Sequence, residues 1–273
     1  MSQANTEKQS LAGQVAVITG STQGIGGGIA LKLAAHGARI VVHGRDSQRI
    51  NGEEMVETIA AGGSQALLVT GDLQDEAHCR TIIRSALARF GRVDILVNNA
   101  AVVHRATLED ASTELWDEIF AVNVRAPFLL CQEAVRHMKE RQSGCIVNIG
   151  SGNGYCGGKR LLPYSASKGA LMTFTKNLAN YLKQYRIRVN QLNPGWTLTE
   201  GERHVVAVID GKGEGWVEVV EKTRPFGRLL RPADVANAVL FFATNELISG
   251  AVLDYEQFPF SAPSDEANPP AKG

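Results

Sequence analysis

The sequence predicts an α/β fold in which a doubly wound parallel sheet of about seven strands carries helices on both faces. Three observations point there. Short apolar runs of β type alternate with amphipathic helical stretches along almost the whole chain. This strand–helix–strand rhythm implies a mostly parallel sheet, and right-handed crossovers make a doubly wound sheet the economical arrangement. No internal repeat and no Pro/Gly/Ser linker divides the 273 residues, a length that suffices for one large core.

The elements follow in order. Residues 15–19 (Val-Ala-Val-Ile-Thr) form the first strand, and 26–35 form the helix after its glycine turn. Apolar runs at 39–43, 66–70, 95–98, 145–149, 187–192 and 251–253 supply the other strands. Helices are expected between them at 48–60, 75–90, 114–141, 165–185 and 232–244. Two stretches break the rhythm. Residues 197–231 hold Trp216 and glycines at 201, 211, 213, 215 and 227, and a connection of this length is expected to be a lid or binding loop. Residues 261–273 contain three prolines and little apolar content, which predicts a flexible C-terminal tail. Residues 1–10 are expected to be a flexible N-terminal segment, leaving a single domain over 11–260.

Composition excludes several classes. Hydrophobic residues make up 44% and charged residues 21%, the profile of a soluble globular chain. A formal net charge of zero gives no reason to expect nucleic acid as a partner. No apolar run reaches the roughly 18 residues that span a membrane. The polar first ten residues lack the apolar core of a secretory signal. Cys79, Cys131, Cys145 and Cys156 show no Cys-x-x-Cys spacing, so free thiols in a cytoplasmic protein are expected, with no metal site.

The first strand runs into Gly20-Ser21-Thr22-Gln23-Gly24-Ile25-Gly26 and then into a helical pattern. Strand, glycine turn and helix form the setting that a dinucleotide needs. Glycines let the backbone approach a pyrophosphate, and the helix N-terminus faces it with unpaired N–H groups. The spacing is Gly-x-x-x-Gly-x-Gly rather than Gly-x-Gly-x-x-Gly. Val42-His43-Gly44-Arg45-Asp46, at the end of the second strand, lies about 20 residues further on, where an acidic residue would accept the adenosine ribose and an arginine would accommodate a 2′-phosphate. Gly44 leaves room and Arg45 follows, which favours NADP(H). NAD(H) stays open, because Arg45 also fits a solvated loop charge and Asp46 competes as the N-cap of the next helix.

Tyr164-Ser165-Ala166-Ser167-Lys168 places a phenol and an ammonium one turn apart on one helix face. An ammonium beside a phenol favours the phenolate, giving an acid/base group nearer neutral pH. Ser151, thirteen residues earlier, supplies a hydroxyl that could hold a carbonyl oxygen in front of it. Such a pair also suits an ordinary helix surface; the glycine loop in the same chain turns the reading toward catalysis.

Together these residues resemble the short-chain dehydrogenase/reductase family in its compact single-domain, Rossmann-like branch, over about 11–254. Thr19-Gly20-x-x-x-Gly24-x-Gly26 is similar to the family's cofactor loop. Asp72 matches its adenine-binding position. Asn98-Asn99-Ala100-Ala101 is similar to its Asn-Asn-Ala-Gly segment, with Ala101 in place of glycine. Asn123, Ser151, Tyr164 and Lys168 match its catalytic tetrad. Asn193-Pro194-Gly195 with Thr199 is like the segment that holds the nicotinamide. The resemblance thus implies a cofactor set of Gly20, Ser21, Gln23, Gly24, Ile25, Gly26, Gly44, Arg45, Asp72, Leu73, Asn99, Ala100, Tyr164, Lys168, Pro194, Gly195, Thr197 and Thr199. Two departures stand out: Gly150 where a second serine is common, and Asp254-Tyr255-Glu256 where the family usually has Asp-Gly-Gly.

The resemblance implies hydride transfer at the substrate carbon, with Tyr164 exchanging the proton at its oxygen and Ser151 steadying that oxygen. Lys168 is expected to lower the Tyr164 pKa, and Asn123 to hold a water linking Lys168 to solvent. The substrate side is expected from Ser151, Asn153, Tyr164 and Trp196, with His104, Arg105, Lys159, Arg160, Glu200, Glu202, Arg203 and His204 nearby. Their polar character fits a sugar, polyol or sugar acid, although each charge could equally face water. The competing reading is a catalytically silent dinucleotide-binding sensor on the same fold. An epimerase or dehydratase would need a longer C-terminal region. Most relatives in the family are homotetramers or homodimers packed through helices equivalent to 114–141 and 165–185, which implies the same here.

Overall fold

The computed structural model describes residues 9–258. The expected tail at 261–273 and most of the expected N-terminal segment lie outside the described residues. Seven parallel strands form one sheet: β1 (Val15–Ile18), β2 (Arg39–Gly44), β3 (Ala66–Thr70), β4 (Ile95–Asn98), β5 (Gly144–Ile149), β6 (Ile187–Pro194) and β7 (Val252–Tyr255). Their order is β3-β2-β1-β4-β5-β6-β7, with Ile18 in register with Val42 on one side and Val97 on the other. The chain therefore reverses its winding direction at β1, and a crevice opens where the connections leaving β1 and β4 diverge.

Alternation along each strand sends neighbouring side chains to opposite faces. Val15 and Val17 join a core with Ile82, Leu130, Met138 and Leu182. Ala16 and Ile18 join the other, with Ile29, Leu33, Val239 and Phe242. The first core is covered by α3 (Glu76–Phe90), α5 (Ala126–Arg141) and α6 (Leu162–Leu182); the second by α1 (Gly24–Ala35), α2 (Arg49–Ala61) and α9 (Pro232–Thr244). Asp94, at the foot of the sheet, accepts from Val15 N at 2.8 Å and takes Arg92 and Arg141 as ion-pair partners, so this buried carboxylate is satisfied.

Two expectations about elements need correction. The helix expected at 114–141 is two helices, α4 (Thr113–Phe120) and α5, joined by a wider turn over Ala121–Arg125 in which Ala126 N donates to Ala121 O, five residues back. Asp46 is not a helix N-cap: it opens a short 3-10 turn (Asp46–Gln48) and pairs with Arg49 at 3.3 Å. The 197–231 connection contains α7 (Glu200–His204), a further wide turn (Val205–Ile209) and α8 (Trp216–Glu221).

Candidate active site

The crevice holds a cleft of about 460 Å³. Its lining includes Gly20, Gln23, Gly24, Ile25, Gly44, Arg45, Asp72, Leu73, Asn99, Ala100 and Thr199. Gly20 and Gly24 have φ of 63° and 59°, values that glycine adopts without strain. Gly26 serves packing instead: a Cβ there would lie 2.1 Å from Gly20 O. Asn99 holds the turn in shape, its Nδ2 donating to Thr19 O at 2.9 Å and to Gly20 O at 3.0 Å. Ser21, expected in the cofactor set, is fully buried and points away from the cleft; it donates to Ile18 O at 2.7 Å and accepts His43 N at 3.1 Å.

The cleft fits a dinucleotide on three counts. α1 begins inside the glycine turn with no side-chain cap, so its first N–H groups are left for a ligand. Thr22 lines the cleft with a buried hydroxyl that has no partner among the described residues. Arg45 stands exposed at the rim, and its neighbour Gly44 must lack a side chain, because a Cβ would lie 2.5 Å from Thr22 Cγ2.

Ser151, just beyond β5, Tyr164 and Lys168 on α6, and Asn123 in the wide turn between α4 and α5 are all buried. Ser151 ends the strand in extended backbone, which presents its hydroxyl toward α6; the Oγ accepts Asn153 N at 3.2 Å and Nδ2 at 3.3 Å. Gly150 has a steric cause, because a Cβ would lie 2.0 Å from Asn193 Oδ1. Lys168 Nζ donates to Ile149 O at 2.7 Å and lies 5.6 Å from the Tyr164 ring centre.

Burial sets the electrostatics of the Tyr164–Lys168 pair. Burial pushes the Tyr164 phenol up to about 12, a Ser151 hydrogen bond acts downward against it, and the Glu202 carboxylate pushes further up. Burial also lowers the Lys168 ammonium to about 8. Ser151 is the side chain that lowers the phenol in this structure, while the Lys168 ammonium stands on Ile149 O. Asn123 lies in the wide turn after α4. The wide turn aims it inward, where Oδ1 accepts Val102 N at 2.8 Å and Nδ2 donates to Val102 O and to Ser167 Oγ, both at 3.0 Å. Ser167 in turn donates to Tyr164 O at 2.6 Å. Asn123 thus ties the loop after β4 to the start of the tyrosine helix.

The 197–231 connection passes beside Tyr164, where its Glu202 acts on the phenol. Thr197 donates to Gly195 O, and Thr199 caps α7 by accepting Glu202 N at 3.1 Å. Trp196 Nε1 donates to Glu202 Oε1 at 2.8 Å, and its ring stacks on Trp216 with centroids 5.4 Å apart. Arg105 meets Asp210 at 2.6 Å and so ties the β4 loop to the lid. Lys159, Arg160, Glu200 and His204 are exposed and face water, as does Cys156.

The unusual C-terminal residues hold the chain leading into this connection. Glu256 Oε2 accepts Trp196 N at 2.9 Å, and Gly195 leaves room for that carboxylate. Asp254 accepts Asn193 Nδ2 at 2.8 Å and Tyr155 OH at 3.2 Å. Sequence reasoning missed these partners, along with His43 and His78, because each pairs residues far apart in the chain. Among the described residues no group of His, Cys, Asp or Glu is arranged to hold a metal, and no helix is long and apolar enough to cross a membrane.

A sequence model described as short chain dehydrogenase matches residues 14–208. A 2-dehydro-3-deoxy-D-gluconate 5-dehydrogenase from Dickeya dadantii is 34% identical over 236 residues, covering 86% of this chain and 90% of that one. A short chain dehydrogenase from Burkholderia cenocepacia, solved in complex with NADP, superposes with a TM-score of 0.81 at 30% identity, covering 91% of this chain and 98% of that one. A 3-ketoacyl-(acyl-carrier-protein) reductase from Brucella melitensis, complexed with NADH, superposes with a TM-score of 0.80 at 33% identity, covering 90% and 98%.

Proposed function

The chain belongs to the short-chain dehydrogenase family of oxidoreductases, and from that premise we propose that it interconverts a secondary alcohol and a carbonyl using NADP(H), with NAD(H) as the weaker alternative. The observation that carries this reading is the buried Tyr164 phenol, hydrogen-bonded to Ser151 with Lys168 one turn along the same helix. When bound, the dinucleotide supplies or takes the hydride. In the reducing direction Tyr164 donates its proton to the substrate oxygen, and in the oxidising direction it takes that proton back. Ser151 Oγ holds the oxygen and stabilises charge developing there. Lys168 would bind the ribose of the bound cofactor, as in the family it resembles, and Asn123 keeps the Val102 backbone against the tyrosine helix. Arg45 is the group for a 2′-phosphate.

The substrate class is a small hydroxyl-rich molecule: a sugar, polyol or sugar acid. Glu202 supports it, as a carboxylate close enough to act on the Tyr164 phenol and with one oxygen already fixed by Trp196. The kinship with a sugar-acid dehydrogenase points the same way. A homo-oligomer is proposed as well, since Phe128 is half exposed beside Phe120 and Phe174 in a groove along α4 and α5.

The test is a fluorescence titration with NADPH and NADH, followed by sugars, polyols, sugar acids and keto acids with the preferred cofactor. Tighter NADPH binding that weakens in Arg45→Ala, with turnover of a hydroxyl-rich substrate, is the expected outcome. Much tighter NADH binding, unchanged by Arg45→Ala, removes the phosphate role. Turnover confined to 3-oxoacyl thioesters contradicts the substrate class, and cofactor binding without turnover of any alcohol or carbonyl restores the sensor.

A further inference from the structure

Two histidines lie beneath the glycine loop and take no part in the chemistry above. His43, near the end of β2, is 2% exposed. Its Nδ1 stands 3.3 Å from the backbone N of Gly20, the first glycine of the loop. Its Nε2 stands 3.4 Å from Nε2 of His78 on α3, and the two rings are 5.5 Å apart. The His78 ring is seated on Gly71, where an added Cβ would lie 2.3 Å from its Cε1.

Hydrogen-bond polarity settles the protons. A backbone N–H can only donate, so His43 Nδ1 must carry a lone pair. A neutral ring with that lone pair carries its proton on Nε2, which stands against His78 Nε2, and a neutral His78 with its own proton on Nδ1 can accept it. A charged His43 would carry a second N–H at Nδ1, pointed against the Gly20 N–H.

We propose that His43 is a positioning residue for the dinucleotide loop: His78 selects its Nε2–H tautomer, and the freed Nδ1 lone pair holds the Gly20 amide in the geometry that opens the loop toward the cofactor. The same strand holds the loop twice more, since Ser21 N donates to His43 O at 2.8 Å and His43 N donates to Ser21 Oγ at 3.1 Å. Those two bonds involve only the His43 backbone and would survive any substitution. The side-chain bond to Gly20 is the one that depends on histidine. Burial and His78 keep this ring neutral down to about pH 4, outweighing a Gly71 backbone hydrogen bond and the Asp72 charge, which favour the proton. The inference rests on the dinucleotide reading of the cleft.

The test compares three variants of equal polarity or size. Asn places an amide oxygen near the position of Nδ1, Gln carries it one bond further, and Leu offers no acceptor. Dissociation constants for NADPH and NADH are read by fluorescence, with thermal melting as the check on folding, and the His43 tautomer is read by ¹⁵N NMR without added cofactor. The wild type should show the Nε2–H tautomer across neutral pH. His43→Asn should keep both constants within about threefold, whereas His43→Gln and His43→Leu should weaken both about tenfold, the size of one net hydrogen bond. If Leu fails to fold, the Asn–Gln contrast carries the test. Equal weakening in Asn and Gln, unchanged binding in Leu, or an Nδ1–H tautomer overturns the proposal. A wild type that binds neither dinucleotide overturns the reading of the cleft instead, while the tautomer result still stands or falls by itself.

Discussion

The glycine loop and the 197–231 lid face each other across one cleft, close enough that a Cβ added at Gly24 would sit 3.7 Å from Thr199 Cγ2, yet they are held in different ways. The loop is fastened largely through its backbone: Gly20 N to His43, Ser21 N to His43 O, and the carbonyls of Thr19 and Gly20 to Asn99. The lid is fastened mostly by side chains: Trp196 on Trp216, Glu202 on Trp196, Arg105 on Asp210, and Glu256 on the Trp196 amide. Backbone anchoring suits a ligand whose phosphates are always the same. Side-chain anchoring lets a family change its substrate without disturbing the cofactor end.

Substitutions can break this contrast at either end. A large effect is expected at the junction, where Ser151→Ala should cost kcat about 3–4 kcal/mol by removing the donor at the developing oxyanion, with cofactor affinity unchanged in titrations. Gly26→Ala forces a methyl against Gly20 O and Asn99, so binding of NADPH and the melting midpoint should both drop, by about 1–3 kcal/mol.

A smaller effect is expected from His43 on acid stability. The unfolded ring titrates near 6.5 and the native ring near 4, so between those values the unfolded chain holds more protons. Stability should therefore fall as pH drops through that window. By urea unfolding the loss from this group between pH 7 and pH 5 should be at most about 2 kcal/mol, and His43→Asn should flatten it. The smallest effect is expected in the lid: Arg105→Ala should raise KM by a few-fold, about 1 kcal/mol or less, with kcat retained, and the exchange Arg105→Asp with Asp210→Arg should restore it.

The same contrast governs how much could be read from the sequence. The parallel sheet was legible because buried strands are short apolar runs, and the glycine loop because its chemistry is local and repeats a spacing. The wide turn at Ala121–Arg125 was hidden: residues 114–141 keep a helical apolar pattern through it, and only Pro127, which cannot donate, marks the break. The lid helices escaped because they are five and six residues long and set among glycines. Asp254 and Glu256 looked like departures from a motif, yet their partners Asn193 and Trp196 sit 61 and 60 residues away, a pairing only the β6–β7 register brings about. The Tyr164–Lys168 spacing was visible, but not the burial that raises the phenol and turns Lys168 toward Ile149.

The most direct measurement is a paired one on Tyr164→Phe: NADPH affinity by fluorescence and turnover of the best alcohol or carbonyl substrate, each against the wild type. Cofactor affinity within about twofold together with a turnover loss of about 10²–10⁴-fold is the predicted result, because only the proton at the substrate oxygen has been removed. Turnover within a few-fold of the wild type, with the cofactor bound, would contradict it.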